Sequence, residues 1–323
     1  MQTATQAMAA VSAVLALALA VPAAASAVPT ATAAVSQDAL SAGRAAYGRG
    51  DHAAAFRLFG QAAEQGDAEG QYNLATLYDN GQGVTQNRVE AARLYRLAAD
   101  QGHAGARSNL AMMYQYGQGV TEDRAEALRL FRQAAAQGNA GAQYNLGVMY
   151  GAGEGVPQSH TEALRWYRLA ADQGLAPAQY NLGLMYKDGL GVAQDDAEAL
   201  RWLRPASAQG YAEAQYVLGG MYRRGQGVEK DAAEGLRLYR LAAGQGSAQA
   251  QLNLAIMYAN GEAVTRDFVQ AYAWFTIAIA NYPASQSTQR DQAISFRERL
   301  VARLTPAQIA GAERLAAAWR PVR

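Results

Sequence analysis

Cysteine is absent from this chain, lysine occurs only at Lys187 and Lys230, histidine only at three positions, and proline eight times in 323 residues. Without cysteine there is no disulfide framework, no thiol nucleophile and no cysteine-held zinc. A charge excess of either sign is missing as well, since 28 lysines and arginines stand against 27 aspartates and glutamates. A surface that tracks phosphates normally carries a large positive excess, so nucleic acid is not an expected partner. Alternating β-branched runs are lacking and half the residues are hydrophobic, so the chain reads as all-α. His52, His103 and His160 have no matched serine and carboxylate neighbours and read as surface histidines. His52 and His160 share a phase but lie three repeats apart, too far for one ligand shell, so no metal is expected. No serine stands three residues before either lysine, which removes the S-x-x-K arrangement of serine hydrolases.

What is present is a repeat. A Gln-Gly pair closes each unit at Gly66, Gly102, Gly138, Gly174, Gly210 and Gly246, always 36 residues apart. Fixed spacing without insertions marks one structural unit stacked on itself. In the copy from Ala142 to Gly174, a first helical pattern carries Tyr144, Leu146, Gly147 and Tyr150. A G-x-G-V loop follows, as at Gly81, Gly83 and Val84 or Gly225, Gly227 and Val228, where glycine takes the left-handed conformation and valine returns to the core. Next come Asn87, Asp123, Ser159, Asp195, Asp231 and Asp267, each placed to cap a second helix that ends at Gln-Gly. A helix pair with one apolar face per helix cannot bury that face alone, so antiparallel pairs stack. The columns Leu74 to Leu254, Tyr78 to Tyr258 and Ala98 to Ala278, read every 36 residues, form the expected core. The G-x-G loops follow no strand and precede no G-K-[ST], so they read as turns, not as nucleotide cradles.

In chain order, residues 1–27 read as a secretory signal peptide cleaved after Ala25-Ser26-Ala27, although the first ten residues contain no lysine or arginine. The apolar run from Ala9 to Val21 is short for a membrane anchor, and no cysteine marks a lipoprotein. Export to the periplasm or the medium is expected, with no membrane span in the mature chain. Residues 28–37 are expected to form a flexible linker and 38–66 an N-terminal capping helix pair. Six full repeats fill 67–282, and 283–323 form C-terminal capping helices, one from about Gln289 to Leu304 and one from Pro306 to Trp319. The second opens on a capping box at Thr305 and Gln308. Pro205 stands inside a second helix where other copies have leucine, which predicts a kink and a bend between repeats four and five.

The pattern AQYNLGxMYxxGxGVxxDxxEALRWYRxAAxQG resembles the Sel-one-like repeat (SLR), a relative of the tetratricopeptide repeat (TPR), over roughly Asp51 to Trp319. The closing AYAWFTIAIA and RLTPAQIAGAERLAAAWR are similar to the ends of many exported bacterial members. The resemblance implies a right-handed α/α superhelical solenoid that works as a scaffold or adaptor for a protein or peptide partner, without cofactor or catalytic residues. A monomeric or weakly self-associating chain in an envelope assembly is the expectation. Some cysteine-rich secreted members are associated with β-lactam binding or hydrolysis and rely on disulfides in each repeat, which this chain lacks. The alternative is a cell-wall-active protein that binds or hydrolyses a peptidoglycan or β-lactam fragment. A cytosolic signalling adaptor stands or falls with the signal peptide.

Three surfaces offer candidate sites. The second helices carry Arg57, Arg93, Arg129, Arg165, Arg201 and Arg237, five of them preceded at i−3 by Glu90, Glu126, Glu162, Glu198 and Glu234. This is a self-neutralising solvated face or a ridge for an acidic partner. The first helices carry Asn73, Asn109, Asn145, Asn181 and Asn253, broken by Val217. By the tetratricopeptide resemblance these helices line the concave side, where asparagine amides hold a peptide backbone or bond to the adjacent repeat. Positions that differ between copies cluster at the ends of the first helices, and Lys187, Arg223 and Arg224 with Tyr211 are the candidates on that rim.

Overall fold

The computed structural model describes residues 31–322, so the expected leader, 1–27, and residues 28–30 of the expected linker lie outside the described residues. Among the described residues there are sixteen α-helices, one 3-10 turn and no strand. They divide into two compact units, one ending at residue 170 and the other running from residue 171.

In the first unit α1 (Ala31–Gly48) and α2 (His52–Glu64) precede the first helices α3 (Ala68–Asn80), α5 (Ala104–Tyr116) and α7 (Ala140–Ala152). These alternate with the second helices α4 (Arg88–Asp100), α6 (Arg124–Ala136) and α8 (His160–Asp172), the last of which contains the boundary. From α1 to α7 each helix packs on the next. In the second unit the first helices are α9 (Ala176–Asp188), α11 (Ala212–Arg224) and α13 (Ala248–Asn260). Their partners are α10 (Asp196–Ala208), α12 (Ala232–Gly244) and α14 (Phe268–Asn281), followed by α15 (Ser287–Val301) and α16 (Pro306–Ala318). From α9 to α15 each packs on the next, and α16 returns to α14.

The caps explain why thirteen-residue helices recur. Asn87, Asp123, Ser159, Asp195, Asp231 and Asp267 each accept the N–H of the third helical residue, at 2.9 to 3.2 Å, as the sequence predicts. The first helices end on glycines with φ between 63 and 74°. The second loop glycine is needed for a different reason. At Gly83 and Gly119 an added Cβ would collide with the carbonyls of His52 and Arg88, at the start of the preceding second helix. The loop is therefore wedged against the previous pair. Ala263 stands at this position in the last copy and keeps φ at +58°, the only positive φ outside glycine among the described residues.

The alanine column from Ala98 to Ala278 is fully buried and the leucine column nearly so, which places the core between the helices of each pair and between neighbouring pairs. Glycine tightens this packing in some copies: a Cβ on Gly147 would reach 2.5 Å from the Tyr167 ring, and one on Gly183 2.7 Å from Leu203. A polar thread runs through the same core. Gln143, Gln179, Gln215 and Gln251 are buried and donate to the carbonyls of Ala135, Ala171, Ser207 and Ala243, near the end of the preceding second helix. The side-chain oxygens of Gln71, Gln179, Gln215 and Gln251 accept from Gln101, Gln209, Gln245 and Asn281, at the end of their own repeat, at 2.8 to 3.0 Å.

Two expectations need correction. Residues 31–37 continue α1 instead of forming a flexible linker. The alanine-rich stretch favours helix, and the buried Ser36 donates to Asp67 at 2.8 Å, tying the segment to the start of α3. Pro205 lies within α10, which spans thirteen residues like its siblings. The turn after it closes with the same bonds, Gly210 N–H to Ser207 and Tyr211 N–H to Ala206, that follow α12 as Gly246 to Ala243 and Ser247 to Ala242. Proline lies in the last turn, where only one internal bond is forfeited. Finally, α15 starts at Ser287, grown from the turn Ala284–Gln286, while α16 opens on the expected Thr305–Gln308 capping box.

Relieving the strain at Ala263 by Ala263→Gly is expected to stabilise the protein by about 0.5–1 kcal/mol, read as a higher urea midpoint at unchanged slope. Gln251→Leu leaves a helix-end carbonyl and the Asn281 amide unpartnered, so the same measurement should show a loss of about 1–3 kcal/mol. A neutral result for Gln251→Leu would remove the thread from the account of stability.

Candidate functional site

The second helices spend their charge on themselves. Arg93, Arg129, Arg165, Arg201 and Arg237 pair with the glutamates three residues before them, at 2.5 to 3.7 Å. These pairs are exposed and contribute little to stability, but they leave a neutral face. A second arginine on four of these helices, unremarked in the sequence reading, reaches the next repeat. Arg132, Arg204 and Arg240 donate to the hydroxyls of Tyr150, Tyr222 and Tyr258 at 2.8 to 3.2 Å, and Arg96 does so to Tyr114. The tyrosine column is thus half core and half inter-repeat tie, and its signal was the spacing of 18 residues, half the period. A cleft of about 340 Å³ lies between α10 and α12, with Arg204, Ser207, Tyr222, Glu234 and Arg237 in its walls. Its arginines are held by Tyr222 and Glu234.

The first helices are different. Asn145 is buried and Asn73, Asn109, Asn181 and Asn253 are half-buried. Asn73 and Asn253 donate to the carbonyls four residues back, of Glu69 at 2.8 Å and of Gln249 at 3.0 Å, while Asn109 donates to the Tyr95 hydroxyl at 3.0 Å. Beside the column stand half-buried Thr76, Met112 and Val148 in the first unit and Leu184 and Ile256 in the second. Each unit therefore presents amides next to half-buried side chains that are mostly apolar.

At the first member of the column, Asn73 also reaches the Glu69 carboxylate at 3.2 Å. Glu69 takes Arg44 at 2.9 Å and His103 at 3.1 Å. His103 is not the free surface residue the sequence suggested. Its Nδ1 accepts the Ala106 N–H and caps α5, which leaves the proton on Nε2 for Glu69, and its ring stacks on Tyr72 at 4.5 Å. The cap position precedes the repeat motif, and it is filled differently in each copy, by Asp67, His103, Asn139, Leu175, Tyr211 and Ser247. The hydrogen bond from His103 pulls the Glu69 carboxyl down to about 2; partial burial works the other way, and Arg44 adds to the lowering.

The rim residues are spoken for to different degrees. Lys187 pairs with Asp188, and Tyr211 lies 5.3 Å from Tyr180, ring to ring. Arg223 makes a two-pronged bond to Glu262 of the next loop, at 2.9 and 2.8 Å. Gln115 and Glu154, 39 residues apart like Arg223 and Glu262, bridge at 3.3 Å. Arg224 is exposed and rests on the Gln226 side-chain oxygen.

The family described as Sel1 repeat matches residues 35–67, 68–103, 104–139, 140–175, 176–211, 212–247 and 248–282. Among solved structures, a Sel1 repeat protein from Oxalobacter formigenes is 32% identical, with a TM-score of 0.71 over 75% of this chain and 100% of that one. The antigen c5321, described as a protective antigen of uropathogenic Escherichia coli strains displaying an SLR fold, is also 32% identical. Its TM-score is 0.55 over 88% of this chain and 68% of its own. No protein with a curated functional description matches.

The lowered carboxyl of Glu69 has a pH consequence. A carboxylate held below its unfolded value stabilises the folded state above about 4.5 and loses that contribution as pH falls towards about 2. Wild type should therefore exceed Glu69→Gln in stability at pH 7, and the gap should close between pH 4.5 and 2 in urea titrations. A gap independent of pH would show that the ion cluster is not its source.

Proposed function

The chain belongs to the Sel1 repeat family, and from that premise we propose that it is an exported, non-enzymatic scaffold that holds a protein or peptide on its first-helix faces. Sel1 repeat proteins generally mediate protein–protein interaction. The observation that carries the reading is the contrast between the two helix sets. The second helices neutralise their own charges and tie repeat to repeat, whereas the first helices carry amides beside half-buried apolar residues. An amide offers both a donor and an acceptor to an extended backbone, and the neighbouring apolar residues add affinity through burial. Export rests on the leader-like residues 1–27, and a place in an envelope assembly follows from export together with binding. No catalytic step is part of the proposal, because the arginines of the cleft between α10 and α12 already face Tyr222 and Glu234.

A photo-crosslinking amino acid placed at Tyr116, exposed at the end of α5, or at Leu241, exposed on α12, separates the faces. In the envelope fraction of cells expressing the full chain, a discrete partner adduct is expected from Tyr116 and not from Leu241. An adduct from Leu241 alone, or recovery of the chain only in the cytosol with residues 1–27 retained, would overturn the reading.

A further inference from the structure

The second helices end alike, but what stands beside each end differs. In the first unit α4 closes on Asp100, four residues after Arg96. Its charge reaches across to α6, where Arg129, held in its charged form chiefly by Glu126, feels Asp100 as well. In the second unit α12 closes on Gly244, whose carbonyl accepts the Val322 N–H at 2.8 Å. The chain's own tail thus lies at that helix end, and a Cβ on Gly244 would stand 3.8 Å from a Val322 methyl carbon. Between α10 and α12 both groups are missing. Ala208 stands where α4 has Asp100, and among the described residues no N–H meets its carbonyl. The cleft of about 340 Å³ opens at this place.

Its walls suit an anion. Arg237 and Glu234 neutralise each other through two bonds of 2.7 Å. Arg204 has only the neutral Tyr222, whose hydroxyl lies 3.2 Å from one terminal nitrogen and whose ring centroid lies 5.9 Å below the guanidinium. Its Nε and other terminal nitrogen donate to nothing among the described residues, so its charge is uncompensated. Ser207, nine-tenths buried, replaces Ala99, Ala135, Ala171 and Ala243 of the other copies, and its hydroxyl has no partner among the described residues. Half-exposed Leu241 supplies an apolar side. Asp100 beside Glu126 and Arg129 shows that a carboxylate is accommodated next to such a pair. The neighbouring repeats lack the combination. α14 carries Gln270 and Ala273 in place of Glu234 and Arg237, and α6, which also ends on an alanine, has no counterpart of the Ser207 hydroxyl.

We propose that the cleft between α10 and α12 binds a short free peptide carrying an acidic and an apolar side chain. The carboxylate meets Arg204 and the Ser207 hydroxyl, one backbone N–H donates to the Ala208 carbonyl as Val322 does to Gly244, and the apolar side chain lies on Leu241. The size of the cleft, with self-paired charges to either side of it, holds the ligand to about two or three residues. The site lies on the second helices and does not depend on the reading of the first-helix faces.

The test is isothermal titration calorimetry of the full chain with an acetylated and amidated Leu-Glu-Ala peptide, the same peptide with glutamine for glutamate, and glutarate, which has carboxylates but no amide. Wild type should bind the glutamate peptide about 5-fold more tightly than the glutamine peptide, and more tightly than glutarate. Arg204→Gln should abolish the preference for glutamate. Ala208→Asp should abolish binding and still fold, because it puts into the cleft the carboxylate that α4 and α8 carry at the equivalent position, Asp100 and Asp172. Arg96→Gln, the matching change in the first unit, should leave binding intact. Equal binding of the two peptides, no binding of either, or full binding by Ala208→Asp overturns the site. Glutarate binding as tightly as the glutamate peptide overturns a peptide as its ligand. None of these outcomes bears on the adduct expected from Tyr116.

Discussion

A glutamine side chain is an awkward thing to bury, and in this protein the awkwardness organises the stack. An amide taken out of water must satisfy a donor and an acceptor or lose a few kcal/mol, about 1–3 in protein mutational data. Here the donor of Gln215 finds the carbonyl of Ser207, at the end of one second helix, and its acceptor takes Gln245, at the end of the next. One residue thus fixes three helix ends, and it also satisfies a carbonyl that a helix terminus would leave orphaned. Sliding any of these helices by a turn would strand all the partners together. Arg107, which replaces the glutamine in one copy, still reaches the corresponding Ala99 carbonyl. The carbonyl is evidently the partner that must not be left alone.

With register fixed inside, the two helix sets are released for different work. The second helices close on themselves through Glu–Arg pairs and hand an arginine forward to the next tyrosine. What varies is concentrated at the far ends of the first helices, and part of that variation is compensated. Gln115 meets Glu154, and Arg223 meets Glu262, at the same spacing. A substitution at one of these positions is answered one repeat later, so the differences between copies are not all free drift, and Arg224 stands out because nothing answers it.

The sequence made the helices, their caps and the buried columns legible because these depend on neighbours three, four or a whole period apart, where periodicity is visible. Asp123 and Leu146 could be placed from spacing alone. The inter-repeat bonds were not legible in the same way. The arginine–tyrosine ties span 18 residues, half the period, and the loop-end pairs span 39, and both join positions in different columns, a pairing that reading the repeat column by column does not show. Ser36 escaped for a related reason, since its partner Asp67 lies beyond a whole helix. His103 was misread because a capping role belongs to a turn, and the turn residue differs in every copy. The candidate asparagines were found, but the carbonyls that Asn73 and Asn253 hold are set by side-chain rotamers that no spacing reveals.

The loop glycines have one more implication. Because Gly83 and Gly119 are pressed on the backbone of the preceding pair, a loop here is no loose connector into which residues can be added one at a time. A single inserted codon would carry a side chain into a neighbour's carbonyl. Such a chain can change length comfortably only by gaining or losing an entire module, and its genetic history should read as duplication and deletion of whole units, with point substitution confined to the residues between the wedges.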